Sequence, residues 1–204
     1  TLSGSRGPAG VLFNAPGSTE AFDATNGDSI TSDALDVEPI DANLEDADAG
    51  DVVTFGLMVH NRGSADFGAF DVQISDTLPA GFTTPASLAA LNLRVTDGNG
   101  DPIAFNILGG GTAADFITSG IELVGPNANT GSLAEYSGTN GENLVLIAYD
   151  LVVADSAVLN STLTNTATVQ NFSYTEGGPN YAEAEDTDTA DVTIVRPSVT
   201  KDVI

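Results

Sequence analysis

The clearest pattern along the chain begins after Asp51, where Val53, Phe55, Leu57 and Val59 alternate with Thr54, Gly56, Met58 and His60. A period of two sends successive side chains to opposite faces of an extended chain, so this run predicts a core strand with one apolar face. Asn61-Arg62-Gly63-Ser64 is turn chemistry, and it leads into a second alternating run in which Phe70, Val72 and Ile74 share one parity before Leu78-Pro79-Ala80-Gly81 closes it. The two runs are expected to pair or to pack. Residues 91–96 and 103–108 flank Asp97-Gly98-Asn99-Gly100-Asp101, which reads as a hairpin with a tight tip. Gly109, Gly110 and Gly111 then break the chain.

Residues 121–124 read as a short strand, residues 125–141 as a polar loop, and residues 143–154 as a long apolar run suited to a central strand. Leu163, Ala167 and Val169 alternate with Thr162, Thr164, Thr166 and Thr168, and a last strand is expected over residues 190–195. At the start of the chain, residues 11–14 read as a short strand, residues 17–28 as loop, and residues 29–40 are ambiguous. No segment carries a strong helical period; the nearest approach is a short turn at residues 86–90. Many short strands separated by turn clusters, with nothing to supply crossover helices, predict an all-β sandwich.

Composition narrows the picture. The 204 residues suffice for one large sandwich or two small ones, and 41% hydrophobic residues set the chain apart from a disordered polymer. There is no cysteine, which removes disulfides and thiolate metal sites. Twenty-nine acidic residues against five basic ones give a net charge of −24, which repels nucleic acid and anionic membrane surfaces. No apolar stretch approaches the ~20 residues of a membrane helix, so membrane insertion by this segment is not expected. Residues 1–10 lack both an initiator Met and a signal-peptide core, so the chain is expected to be an internal fragment or a processed product. Such a carboxylate excess suits a saline, calcium-containing exterior, where salt screens it and divalent cations neutralise it.

Three stretches carry a resemblance to a known family. They are residues 49–65, with Ala49-Gly50-Asp51 leading the first strand into His60-Asn61-Arg62-Gly63-Ser64; residues 70–82, Phe70-Asp71-Val72-Gln73-Ile74-Ser75-Asp76-Thr77-Leu78-Pro79-Ala80-Gly81-Phe82; and residues 163–169, Leu163-Thr164-Asn165-Thr166-Ala167-Thr168-Val169. In these the chain resembles the bacterial surface-repeat domain of unknown function that recurs in tandem in very large cell-surface and fimbrial-type proteins. The likeness covers residues 49–204. It implies an immunoglobulin-like β-sandwich over residues 49–196, elaborated by a long insert between residues 91 and 141. Residues 197–204 would then be a linker or the first strand of a following repeat, and residues 1–48 either additional N-terminal strands or the end of a preceding module.

Related fimbrial modules join a Lys on an early strand to an Asn on a late strand, assisted by a buried carboxyl group. Asn165 shares the parity of Leu163 and Ala167, and Asp76 that of Val72 and Ile74, so both are expected to face inward. The only lysine, Lys201, follows the last expected strand, where it could serve a following repeat but not a bond within this one. Asp76 and Asn165 are therefore expected to be buried polar anchors bonded to backbone groups. Calcium is the cofactor weighed: Asp97, Asn99 and Asp101 are spaced so that alternate side-chain oxygens could meet a hard cation, although Asp-Gly-Asn-Gly-Asp is equally good hairpin-tip sequence. Asp46, Asp48 and Asp51, with Glu45, form a weaker acidic set before the first strand, and Asp23, Asn26 and Asp28 a weaker one still. Asp186, Asp188 and Asp191 read as a charged edge that discourages strand addition.

His60 has the parity opposite to the core and is expected to point outward. No nucleophile elbow, metal-binding histidine motif or phosphate loop occurs, so the commonest hydrolase and transferase signatures are missing. The function expected is structural: a module of an extracellular bacterial surface fibre, adhesin stalk or sheath, whose partners are neighbouring repeats or copies of itself. The alternatives are a filament protomer that lends residues 198–204 to a neighbour's open sheet edge, and a carbohydrate- or ligand-binding sandwich using residues 125–141. The second lacks an obvious stacking platform, since there is no Trp and aromatics make up 6% of the chain.

Overall fold

A computed structural model describes residues 29–37, 43–64, 66–182 and 186–195. In chain order they form α1 (Ser32–Val37), β1 (Leu44–Ala47), β2 (Val52–His60), β3 (Phe70–Thr77), β4 (Phe82–Thr83), α2 (Leu88–Leu91), β5 (Arg94–Thr96), β6 (Phe105–Ile107), α3 (Ala113–Ser119), β7 (Ile121–Leu123), β8 (Leu144–Val153), β9 (Thr162–Ser173) and β10 (Asp186–Ile194). The expected strand at residues 11–14, the acidic set Asp23, Asn26 and Asp28, and Lys201 lie outside the described residues.

The strands make two sheets. The larger has the order β1-β10-β9-β3-β7-β6; in the smaller, β8 is central, with β2 on one side and β4 and β5 sharing the other. This is the all-β sandwich that the alternation predicts, of the immunoglobulin-like kind that the resemblance implies, and residues between β4 and β8 form its insert. Between the sheets lie Val53, Phe55 and Leu57 of β2, Val72 and Ile74 of β3, and Ile147, Tyr149 and Leu151 of β8, all buried. The first two alternating runs therefore pack face to face from different sheets rather than pairing.

Every residue from Leu144 to Tyr149 is buried, which a strand achieves only when both its faces are covered. The core covers one face. Ile30, fully buried, packs with Leu144 and Leu146 on the other, joined by Leu35 of α1 and Met58 of β2. The Ile30 amide donates to the Gly98 carbonyl (2.7 Å), and Asn143 Nδ2 donates to the buried Ser32 Oγ (2.8 Å). The ambiguous stretch at residues 29–40 thus contains a cover for the small sheet, ending in a helix.

Three expectations need correction. The turn at residues 97–101 forms, with the Asp97 amide donating to the Asp101 carbonyl (2.8 Å), but its arms do not continue as a hairpin. After the Thr96–Pro102 bridge they separate: β5 pairs with β8 and β6 with β7, one in each sheet. Past the bridge Val95 lies opposite Ile147 of β8, and Phe105 opposite Leu123 of β7. Second, a helix was not expected after the three glycines, yet α3 forms there. Thr112 Oγ1 accepts from the Asp115 amide (3.1 Å) while the Asp115 carboxylate accepts from the Thr112 amide (2.9 Å), a capping box. Third, the last strand starts at Asp186, earlier than its apolar residues suggest, because the long β9 supplies partners from Val169 to Thr162.

The polar loop at residues 125–141 is tied to the sandwich at several points: the Gly131 amide donates to the Phe67 carbonyl (2.7 Å), the Tyr136 amide to the Gly63 carbonyl (2.8 Å) and Asn61 Nδ2 to the Ala134 carbonyl (2.7 Å). Leu133 is buried in the core, and its carbonyl accepts from the Ala69 amide (2.8 Å). A Cβ on Gly68, whose φ is +78°, would lie 2.0 Å from that carbonyl oxygen, so only glycine permits the approach.

Ile30→Ala is expected to cost about 2–4 kcal/mol by emptying a fully buried site, whereas Leu159→Ala, at an exposed position, should change stability by less than about 0.5 kcal/mol. Urea unfolding of both variants checks this; equal effects would mean that residues 29–37 do not contribute to the fold.

Candidate functional site

The most unusual chemistry lies where the two sheets meet. Tyr149 of β8 is completely buried, stacked on its register partner Phe55 (ring centroids 5.5 Å apart, 14° between planes) and met edge-on by Phe116 of α3 (5.0 Å, 69°). Phe82 of β4 packs edge-on against Phe55 (5.3 Å). Two rings, from β2 and α3, thus hold the tyrosine, with a third from β4 behind Phe55, and its hydroxyl crosses to the larger sheet, where it donates to Asp76 Oδ2 of β3. Asn165 Nδ2 of β9 donates to the same oxygen (2.9 Å). Asp76 and Asn165 are 3% and 2% exposed. Alternation places both inward, but they bond to each other and to Tyr149 where backbone partners were expected.

The cluster is electrostatically costly. Asp76 Oδ1 and Asn165 Oδ1 have no hydrogen-bond donor among the described residues. Burial pushes the Asp76 carboxyl up from its ordinary 3.8 to about 6, although the hydrogen bonds from Tyr149 and Asn165 favour its charged form. Burial, then the charge of Asp76, pushes the Tyr149 phenol well up, so it keeps its proton and acts as a donor. The carboxyl is sealed from solvent, and its perturbation comes from the core rather than from a cleft that a substrate could enter.

The acidic segments have local work. Asp97 is largely buried, and its Oδ1 accepts from the Asn99 (2.8 Å) and Asp101 (2.9 Å) amides, holding the turn. The Asn99 side chain lies 3.4 Å from Asp97 Oδ2, and Asp101 is exposed. Asp48 and Asp51 shape the turn before β2: Asp51 Oδ2 accepts from the Asp48 amide (2.9 Å), and Asp48 Oδ1 from the Ala49 amide (2.8 Å). Asp46 sits in the left-handed region (φ 62°) where the β1 register shifts. Among the described residues, no group of three or more His, Cys, Asp or Glu side chains is placed to hold a metal ion. Asp186 and Asp188 line the part of β10 that β1 leaves uncovered, while the Asp191 amide donates to Asn43 Oδ1 (2.8 Å) and its carboxylate accepts from Thr164 (2.7 Å).

His60 lies on the outer face, half-buried rather than free in solvent. Burial, then the nearby Arg62, lowers its pKa, with Asp36 opposing. Asp36 of α1 pairs with Arg62 (2.8 Å), so the lone histidine sits beside a structural ion pair. Along β2, the edge away from β8 has no partner strand among the described residues, and a groove of about 230 Å³ separates it from residues 186–190 of β10, with Leu57, Asn165 and Val169 in its lining. Tyr149 as the centre of the cluster was missed from sequence: it closes the apolar run that starts at Leu144, where nothing marks its hydroxyl as more important than the neighbouring methyl groups.

No protein-family model matches the chain, and no curated protein does. Solved structures of similar fold include a pilus backbone protein, RrgB, of Streptococcus pneumoniae (17% identity, 65% of this chain and 45% of that one, TM-score 0.42). A group B streptococcus pilus 2b backbone protein is similar over 76% of this chain and 55% of its own (17% identity, TM-score 0.43). A family 123 glycoside hydrolase of Clostridium perfringens is similar over 84% of this chain and 26% of its own (9% identity, TM-score 0.38). The chain spans about half the length of the two pilus proteins. The likeness is one of fold.

Asp76 binds its proton near pH 6 in the folded chain and near 3.8 when unfolded, so between those values the folded state holds more protons and stability falls as pH rises. Asp76→Asn keeps the acceptor for Tyr149 and Asn165 and removes the charge. It should therefore be more stable than the natural chain by about 3 kcal/mol above pH 6.5, with the difference closing below about pH 4. Urea unfolding at pH 4 and 7.5 checks the sign; a difference independent of pH would show that the charge is not the cost.

Proposed function

We propose that this chain is a structural module of an extracellular bacterial surface fibre or stalk, stressed along its length and without a catalytic role. One observation carries the reading. β1 and β10 are parallel neighbours, with Leu44 opposite Val192 and Ala47 opposite Ile194, and the Val195 amide extends the ladder to the Ala47 carbonyl (3.0 Å). In a parallel pair, the chain enters one strand and leaves the other at opposite ends. Tension between those points slides the strands along each other and stresses their hydrogen bonds together. An antiparallel hairpin pulled from its open end breaks them one at a time. β10 is further held on its other side by eight register pairs with β9.

The remaining features support this role. The chain has no cysteine, so its resistance must come from ladders and core rather than from disulfides. Tyr149 ties the small sheet to the larger one at Asp76 and Asn165, so the sheets resist separation. The net charge of −24 fits a surface exposed to salt and keeps modules apart laterally. No helix among the described residues is long and apolar enough to cross a membrane.

The open edge of β2 favours a second reading, in which a neighbouring copy lends an extended segment to that edge, filling the groove beside β10. Both readings make copies of the same chain its partners.

Single-molecule pulling tests the primary reading. With no native cysteine, handles can be placed uniquely. Pulled between its ends, the module should unfold at several times the force needed when handles at Arg62→Cys and Glu142→Cys peel β2 from β8, whose nearby ends pair as His60 and Leu144. Equal forces in the two geometries would remove the mechanical argument.

A further inference from the structure

Among the described residues few aromatic side chains stand exposed, and several of them gather at one pole. Tyr174 and Tyr181 lie 4.6 Å apart between ring centroids, each 6.5 Å from Phe172, and they are 52% and 43% exposed. The arrangement is built. The Tyr181 amide donates to the Phe172 carbonyl (2.9 Å), Asn180 Nδ2 to the Gln170 carbonyl (2.9 Å), and the Gly177 amide to Asp71 Oδ2 (2.9 Å), which pins the 174–181 loop back onto β9 and β3. Phe67, 64% exposed, stands at the same pole, three residues before Phe70, the register partner of Ser173. Asp66, Asp71 and Glu176 add carboxylates there.

The chain leaves the fold at the opposite pole. Ile194 is bonded across to Ser161, eleven residues from Phe172 along β9, a separation of about 36 Å at ~3.3 Å per residue. The residues that follow, 196–204, contain Arg196 and Lys201, two of the five basic residues in the entire chain, against the single carboxylate Asp202. Exposed tyrosine faces at an acidic pole attract ammonium and guanidinium groups. Lys201 is six residues beyond Val195 and reaches at most ~22 Å, and Arg196 far less. Neither can touch the tyrosines of its own copy.

We propose that the Tyr174–Tyr181–Phe172 cluster is a docking surface for residues 196–204 of a second copy, with Arg196 and Lys201 laid on the tyrosine faces. The contact is heterologous: the tail of one copy meets the head of the next, and repetition gives an open linear array. The proposal rests on the fibre reading and supplies its polarity and its junction. It also differs from strand lending to β2, which would leave the tyrosines unused.

Sedimentation velocity of the 204-residue chain, over a concentration series at low and high salt, tests it. The natural chain should associate in a concentration-dependent, salt-weakened manner. Tyr174→Ala/Tyr181→Ala and Arg196→Glu/Lys201→Glu should each weaken association roughly tenfold or more with unchanged melting temperature. Each double variant keeps one intact surface, so a mixture of the two should form one-to-one pairs and nothing longer. Three results would overturn the proposal: a natural chain that stays monomeric throughout, association indifferent to the tyrosines, or a mixture that still forms long arrays. Loss on changing the basic residues but not the tyrosines would point instead to strand lending at β2. Any of these would leave the pulling result, and with it the module reading, intact.

Discussion

The hydrogen bond between Tyr149 and Asp76 is the contact on which the rest of the architecture turns. A sandwich is held mainly by non-directional burial, which fixes how far apart two sheets lie but constrains their sliding only weakly. One buried hydroxyl aimed at one buried carboxylate removes that freedom, because a slip of either sheet strands a charge in the core. Phe55, backed by Phe82, and Phe116 hold the ring on one side, and Asn165 adds a second donor to the same carboxylate oxygen on the other. The cost is visible in the raised pKa of Asp76 and in the two side-chain oxygens without a donor. Stability is given up here for a defined alignment, the trade that buried polar groups make in some other folds.

That alignment carries through to the ends of the module. β3 and β9, which hold Asp76 and Asn165, are neighbours in the larger sheet, and β9 also carries β10, from which the chain departs. The same β9 runs on past the start of β10 to the exposed tyrosines at the far pole. A single strand therefore joins the exit of the chain, the sheet-to-sheet lock and the aromatic head, so the two poles have a fixed mutual orientation. Fold alone would not assign any of this a purpose.

What could be read from the sequence was whatever has a period. β2, β3 and the first half of β9 alternate, β8 is apolar but for Asp150, and each lies where its pattern puts it. Parity alone turned Asp76 and Asn165 inward. Elements whose cause lies elsewhere in the chain were illegible: Ile30 and α1 form against the outer face of β8, and residues 186–189 are strand only because β9 is there to pair with them. The helix at residues 113–119 was announced by Thr112 and Asp115, a two-residue capping signal easily lost after three glycines. The bonding partner of Asp76 depends on a tyrosine seventy-three positions away in another sheet, a relation no local pattern encodes.

Leu133 offers a different lesson. Because that side chain is buried and the Ala69–Leu133 bridge fastens the strand-facing part of the long loop, the exposed tip around residues 127–130 is insulated from the core. Its turn closes on itself through Asn127, whose carbonyl accepts from the Thr130 amide. An insulated tip of this kind can change in sequence or accept inserted peptide without disturbing what lies beneath. The outward-facing residues of this loop can therefore change while the framework underneath stays constant.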